Sequence, residues 1–361
     1  MAKLVVKNAL TEFVAKNMPE KKPKLEKMSR KERRERFKKR LECLSPEEQA
    51  YLRRKQFMDA MWPLFRGLIV FGLCFIIIYP LLYMITAAIR TRADMNDPTV
   101  MWIPRHYTTT NIKDVIKAMD FGNTLWNTLK LNIVCSILQV LTCAVTGYGF
   151  ARYNFKGKNI LFFIVIMMII VPPQIILIPL YMFFRYFNPL GIYFMIKHDY
   201  MSLIDKPAAM YLPALTANGL RAGLFIYLFR QSFRGLPKEL EDAAALDGCS
   251  PLTTFVRVMI PNAGSTFLTV FLLSVVWYWN DYYISTSFFL NYKTLALTLK
   301  NLSSNIKVLL FGDANAAVNA REIIIWMEAA CLISILPILI LYIILQKNFT
   351  EGIARSGLTG M

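Results

Sequence analysis

Six long apolar stretches constrain this sequence more than anything else in it. A bilayer core needs roughly 20 apolar residues per crossing helix. Stretches of that size run from about Trp62 to Ile89, Leu125 to Phe150, Ile160 to Phe184, Ala209 to Phe233, Ala263 to Leu290 and Ile323 to Leu345. Hydrocarbon offers no partner to a backbone amide, so each stretch must close its hydrogen bonds internally, as a helix does. The expectation is an all-α polytopic membrane protein with six spans. Composition agrees: 55% of the 361 residues are hydrophobic and 18% are charged, against about 25% charged in ordinary soluble domains. A soluble enzyme and a disordered or fibrous chain are both excluded.

The charge is unevenly placed. Residues 1–61 hold 18 of the 42 Lys and Arg and 9 of the 24 Asp and Glu, so they carry half of the formal +18. This basic extension reads as a separate cytoplasmic unit, serving as a topology signal or holding anionic lipid heads. It contains no nucleic-acid recognition module. Ser45-Pro46-Glu47-Glu48 reads as a helix start, with serine as the cap and proline at the first helical position. Further basic clusters lie at Arg152, Lys156 and Lys158, at Arg230, Arg234, Lys238 and Arg257, and at Lys347 and Arg355. With six spans these fall on one side, so both termini are expected in the cytoplasm. The opposite side then holds 90–124, 185–208 and 291–322, with Trp102, Trp126 and Trp326 placed as interfacial anchors. The six-span domain occupies 62–346 and a cytoplasmic tail 347–361. No cleavable signal peptide is visible, because no apolar run follows the first charges.

Reactive chemistry is sparse. Cys43, Cys74, Cys135, Cys143, Cys249 and Cys331 form no CxxC pair, and His106 and His198 lie in separate polar loops. No catalytic, metal or cofactor site is expected from them. Prolines interrupt several spans, most sharply at Val171-Pro172-Pro173-Gln174. A proline removes a backbone donor, so a bend is expected there, with Pro173 and Gln174 beside a pathway.

The connection between the fourth and fifth stretches is unusual. It reads LPKELEDAAALDGCSPLTTFVRVMIP, residues 236–261. Glu239 to Leu246 is a strong helix former with carboxylates at its start, as the helix dipole prefers. Ala243, Ala244 and Ala245 give a low-relief surface that another protein can approach closely. Gly248 permits a sharp turn at little steric cost. Ser250 and Pro251 read as the cap and first position of a second helix. Along it, Leu252, Phe255, Val256 and Met259 recur at helical spacing.

Asp242-Ala243-Ala244-Ala245-Leu246-Asp247-Gly248, closed by Ile260-Pro261, resembles the EAA loop of ABC importer permeases, with aspartate where the motif opens on glutamate. Pro172-Pro173-Gln174, Trp279-Asn280-Asp281 and the tail Gly352-Ile353-Ala354-Arg355-Ser356-Gly357 are similar to the maltose-type, carbohydrate-uptake members. The resemblance covers about 62–361 and leaves the basic extension outside it. It implies an ABC importer permease (MetI-like) architecture in a bacterial plasma membrane. It also implies that the loop is a coupling helix seated in a cytoplasmic ATPase. The carboxylate of Asp242 or Glu241 would pair with a basic residue there, Ala243, Ala244 and Asp247 would form the contact, and Gly248 and Pro261 would shape it. The chain has no GxxxxGK[ST] phosphate loop. ATP and Mg would then sit on partner subunits, and none would be bound by this chain. The implied assembly is this chain with a second, different permease, two ATPases and an external solute-binding protein, moving a sugar or oligosaccharide.

Trp279, Asn280 and Asp281 offer aromatic and hydrogen-bonding groups to a sugar. An aspartate in a span is costly facing lipid, so Asp281 should face protein or water. Two other readings remain at this stage. One is an ABC permease for a non-sugar solute. The other is an ion-coupled secondary transporter using Asp281, Glu328 or Arg221. A membrane-embedded enzyme would need a clustered nucleophile, base or metal set, and no such motif is present.

Overall fold

The computed structural model describes residues 46–188, 191, 194, 195 and 198–358. The basic extension before Pro46, part of segment 185–208 and the last three residues lie outside the described residues. The chain forms two units, Met1–Ile78 and Tyr79–Met361. The described part of the first unit, residues 46–78, lies within the helix α1 (Pro46–Ala88); the expected cap at Ser45 lies outside the described residues.

The second unit is all helix apart from turns and isolated bridges. Its outer part opens with α2 (Arg92–Asn96) and α3 (Thr110–Ala118), followed by the long α4 (Phe121–Arg152). Next come α5 (Lys158–Ile170), α6 (Pro173–Arg185), α7 (Ala208–Leu215) and α8 (Ala222–Gly235). α9 (Glu239–Leu246) and α10 (Pro251–Thr254) lead through a π turn, Phe255–Met259, and one helical turn, Ile260–Asn262, into α11 (Gly264–Trp279). α12 (Tyr283–Phe288), α13 (Leu295–Lys300) and α14 (Leu302–Phe311) precede the final α15 (Ala320–Leu358).

Six uninterrupted spans are not what forms. Among the described residues, Phe57–Ala88, Phe121–Arg152 and Ala320–Ile344 are long and apolar enough to cross a membrane, and two bent helix pairs bring the number to five at most. The expected span Ile160–Phe184 is the pair α5 and α6, bent by 104°. The cause is Pro172-Pro173. The residue before a proline avoids helical backbone, and Val171 accordingly sits extended at ψ 121. Pro173 then takes the first position of α6. The expected span Ala209–Phe233 is likewise split into α7 and α8. Ala217 and Arg221 both adopt left-handed backbone, at φ 54 and φ 58. The expected fifth stretch ends as a helix at Trp279, where Asn280 and Asp281 turn the chain.

α4 is the post around which the unit is built. α8 lies so close to it that a Cβ on Gly147 would stand 2.6 Å from Phe229 Cβ. Polar side chains of α4 serve the broken span. Gln139 Nε2 donates to the Leu220 carbonyl, Tyr278 Oη donates to Gln139 Oε1 and accepts from Leu220 N, and Thr142 Oγ1 donates to the Ala214 carbonyl at 2.8 Å. These bonds satisfy backbone groups that a continuous helix would have paired by itself. Asn132 Nδ2 reaches the Val275 carbonyl of α11 at 2.8 Å in the same way.

Asp205 ties segment 185–208 to the start of segment 291–322. Asp205, at φ 65, accepts from the backbone N–H of Leu290, Asn291 and Tyr292 at 2.8–3.0 Å and from Asn291 Nδ2 at 2.8 Å. Burial raises its carboxyl, but the bonds from Tyr292, Asn291 and Leu290 outweigh that and hold it below the usual carboxylate range. A depressed carboxylate contributes stability above its unfolded pKa, about 3.9, and loses it as pH falls through the folded value. Asp205→Ala is therefore expected to cost roughly 1–3 kcal/mol at pH 7 and to weaken the acid dependence of thermal unfolding. Melting of the detergent-purified chain at pH 7 and below pH 4 reads both effects; an unchanged melting point at pH 7 contradicts the tie.

Trp326 is not an interfacial anchor. It is 1% exposed, packed in a core with Met119, Leu302 and Ile306, and the Arg92 guanidinium lies 5.2 Å from its ring centre. Trp102 and Trp126 are exposed.

Candidate functional site

α9 closes on a left-handed glycine. Gly248 has φ +76, its N–H bonds the Ala245 carbonyl at 3.0 Å, and Cys249 N bonds the Ala244 carbonyl at 2.9 Å. This crossed pair of bonds is the Schellman arrangement, which satisfies the last carbonyls of a helix and suits glycine at the turning position. Ser250 then caps α10, its Oγ accepting from Thr253 N at 3.2 Å, with Pro251 at the first helical position. The local sequence thus produces two short helices with an abrupt turn between them.

The two faces of this element differ. Phe255 and Met259 are buried, packed with Tyr148, Phe229 and Phe233. Leu252 and Val256, expected on the same buried side, are exposed, as is Leu246 at 89%. Asp242, Ala243, Asp247, Gly248 and Pro261 are exposed as well, whereas Ala244 is buried. The outward face therefore carries the carboxylates of Asp242 and Asp247, small residues and exposed leucines. Glu241 points the other way. Its Oε1 accepts from Tyr148 Oη at 2.7 Å, and its Oε2 lies 3.2 Å from Arg152 Nε. Tyr148 was not singled out from sequence, and Arg152 was read only as a topology charge. The available signal was their spacing of four at the cytoplasmic end of an apolar stretch, which puts them on one helix face.

The residues expected along a pathway are partly brought together. A cavity of about 430 Å³ is lined by Pro173, Gln174, Asn280 and Asp281, with Arg221 and Trp277 opposite. A neighbouring, mainly apolar cavity of about 690 Å³ lies among α5, α6, α7 and α8 and shares Pro173, Leu220 and Arg221 with it. Trp279 does not line either. It is 8% exposed in the core with Trp326 and donates Nε1–H to the Ser334 carbonyl at 3.3 Å. Asp281 acts as a cap for α12, accepting from Ile284 N at 3.3 Å and from Ser285 N and Oγ at 2.9 and 2.8 Å. Both of its oxygens are thereby engaged. Arg221 and Trp277 meet at this site: the guanidinium stands 4.3 Å from the ring centre, a cation–π contact. Among the described residues, no group of three His, Cys, Asp or Glu could hold a metal ion.

Comparison with known proteins bears on the family and the fold. The family described as binding-protein-dependent transport system inner membrane component matches residues 143–355. The arabinooligosaccharides transport system permease protein of Halalkalibacterium halodurans is 28% identical over 314 residues, covering 82% of this chain and 98% of that one. The trehalose transport system permease protein of Mycobacterium tuberculosis is 23% identical over 281 residues, covering 78% and 92%. In structure, the chain is similar to one in a bacterial ABC transporter involved in the import of the acidic polysaccharide alginate. The TM-score is 0.62 at 19% identity, over 81% of this chain and 98% of that one, a likeness of fold.

Proposed function

We infer, from the premise that this chain belongs to the binding-protein-dependent transport system inner membrane component family, that it pairs with a second, different permease. Together they would form the pathway for a sugar or oligosaccharide, driven by two cytoplasmic ATPases. It is a multi-pass protein of the bacterial plasma membrane and a transport permease. The chain supplies a gate and a lever, while ATP and Mg reside on the partner subunits and an external binding protein delivers the solute. Relatives named for arabinooligosaccharide and trehalose transport support a carbohydrate as cargo.

The observation that carries the reading is the outward face at 242–252. Leu246 and Leu252 project at 89% and 73% exposure beside Asp242 and the small Ala243. In solution such leucines are a liability, and in a groove of a partner they are anchors. Asp242 is the acid free to meet a basic ATPase residue, and Gly248 keeps the turn low. The 430 Å³ cavity is of the size that holds a small ligand. In this reading Gln174, Asn280 and Arg221 offer hydrogen bonds to sugar hydroxyls, and Trp277 offers a ring face. A photo-activatable amino acid at Leu246 is expected to cross-link to a nucleotide-hydrolysing chain in native membranes. Cross-links only to lipid, or to a protein without a phosphate loop, remove the basis of the proposal.

A further inference from the structure

Two adjacent carboxylates of α9 have opposite surroundings. Asp242 is exposed, whereas the Glu241 side chain is 17% exposed and the Arg152 side chain beside it 13%. Arg152 meets the loop at two points: Nε stands 3.2 Å from Glu241 Oε2 as an ion pair without a hydrogen bond, and Nη2 donates to the Leu236 carbonyl at 2.8 Å. Tyr148 Oη donates a second hydrogen bond, to Glu241 Oε1. The Tyr148 ring meets Phe233 at the end of α8, 5.4 Å away, and Phe255 in the π turn, 4.8 Å away. The start of the loop, the first turn of α9 and the π turn therefore converge on the last turn of α4.

We propose that Glu241, Arg152 and Tyr148 form an internal latch that carries displacement of the coupling helix into α4. Glu241 is thus a positioning residue and not a contact to the ATPase. The proposal rests on the reading that α9 seats in that partner. Apolar contacts between α9 and the rest of the unit can slide with little directional preference. A shielded ion pair with one carboxylate oxygen also held by a hydrogen bond is directional, and breaking one side strands the other charge. From the latch, α4 runs straight to the side chains that hold the broken span. Gln139 binds the Leu220 backbone and Thr142 binds the Ala214 carbonyl. Leu220 and its neighbour Arg221 line both cavities. A pull at Glu241 has a continuous bonded route, through one helix, to the cavity walls.

The test uses the whole complex purified in lipid nanodiscs. Asn218 lines the 690 Å³ cavity and is exposed, so Asn218→Cys reports access there. Cys74, Cys249 and Cys331, exposed or partly exposed, and Cys43 of the basic extension are first replaced by serine. Maleimide labelling of Asn218→Cys is compared with and without MgATP and vanadate. Glu241→Gln keeps the side-chain size and the acceptor for Tyr148 but removes the charge. It is expected to retain the ATPase subunits at the parent stoichiometry while the nucleotide-dependent change in labelling falls at least fivefold. Arg152→Lys, which keeps the charge and loses the forked grip, should give the same loss. The exchange pair Glu241→Arg with Arg152→Glu should recover at least half of the response. Loss of the ATPase subunits on Glu241→Gln would make Glu241 a docking contact and overturn the latch. An assembled Glu241→Gln complex with the parent response would overturn it equally. Should the parent chain itself carry no ATPase, the underlying reading fails instead, and the two failures are distinct.

Discussion

Gly248→Asp is expected to leave the chain folded in the membrane and to strip it of its ATPase. The intramolecular cost is small: a Cβ at this position meets open space within 4 Å, and left-handed backbone costs a non-glycine residue about 1–2 kcal/mol. The intermolecular cost is not small. The new carboxylate projects from the turn that the proposed docking brings against the partner, next to Asp247 and six residues after Asp242. A charge buried at an interface without a partner costs several kcal/mol, so co-purification with the ATPase should fall at least tenfold and ATP-driven uptake with it. Gel filtration of the solubilised chain, set beside the ATPase content of the eluate, separates folding from assembly. Normal ATPase content in this variant would mean that the turn faces nothing.

The second large effect is expected at Gly219. A methyl group there would collide with Gln139 Oε1 and Tyr278 Oη and stand 3.2 Å from Ala214 Cα. Neither polar atom can retreat alone, because they bond each other and also hold the backbone of Leu220. Gly219→Ala should therefore strand buried polar groups as well as create overlap, for a loss above about 3 kcal/mol. Gly122→Ala is the control, since its methyl would meet nothing within 4 Å on an exposed part of α4. It should be neutral or slightly stabilising. Thermal stability of the two variants in detergent decides the matter: equal melting points would show that the Gln139–Tyr278 network does not constrain the break.

The sequence made the helical class and the two short helices around Gly248 legible because both rest on local rules. Apolar length declares a helix in lipid, and the alanine run, Gly248, Ser250 and Pro251 each act within a few residues of themselves. What escaped depended on packing partners far apart in the chain. The fourth stretch looked continuous because most of its residues are apolar, yet Pro213 and the Asn218-Gly219 pair were turn signals in plain view. Whether they would break the helix depended on Gln139 and Tyr278 being available to satisfy the freed amides. The same holds for Trp279: its chemistry suits a sugar, but α15 passes close enough to offer the Ser334 carbonyl, and the indole went there. Glu241 and Asp242 were indistinguishable in one dimension. Only the position of Tyr148 and Arg152 assigns them to opposite sides.

The borrowed bonds at the α7–α8 break also bear on how the chain is made. A stretch that cannot pair all of its own amides is a poor candidate to leave the insertion machinery alone. It must wait beside α4, already in the bilayer, and beside Tyr278, which emerges later in synthesis. Biogenesis of this permease is therefore expected to hold several stretches together before releasing them to lipid, with Tyr278 acting as the last key.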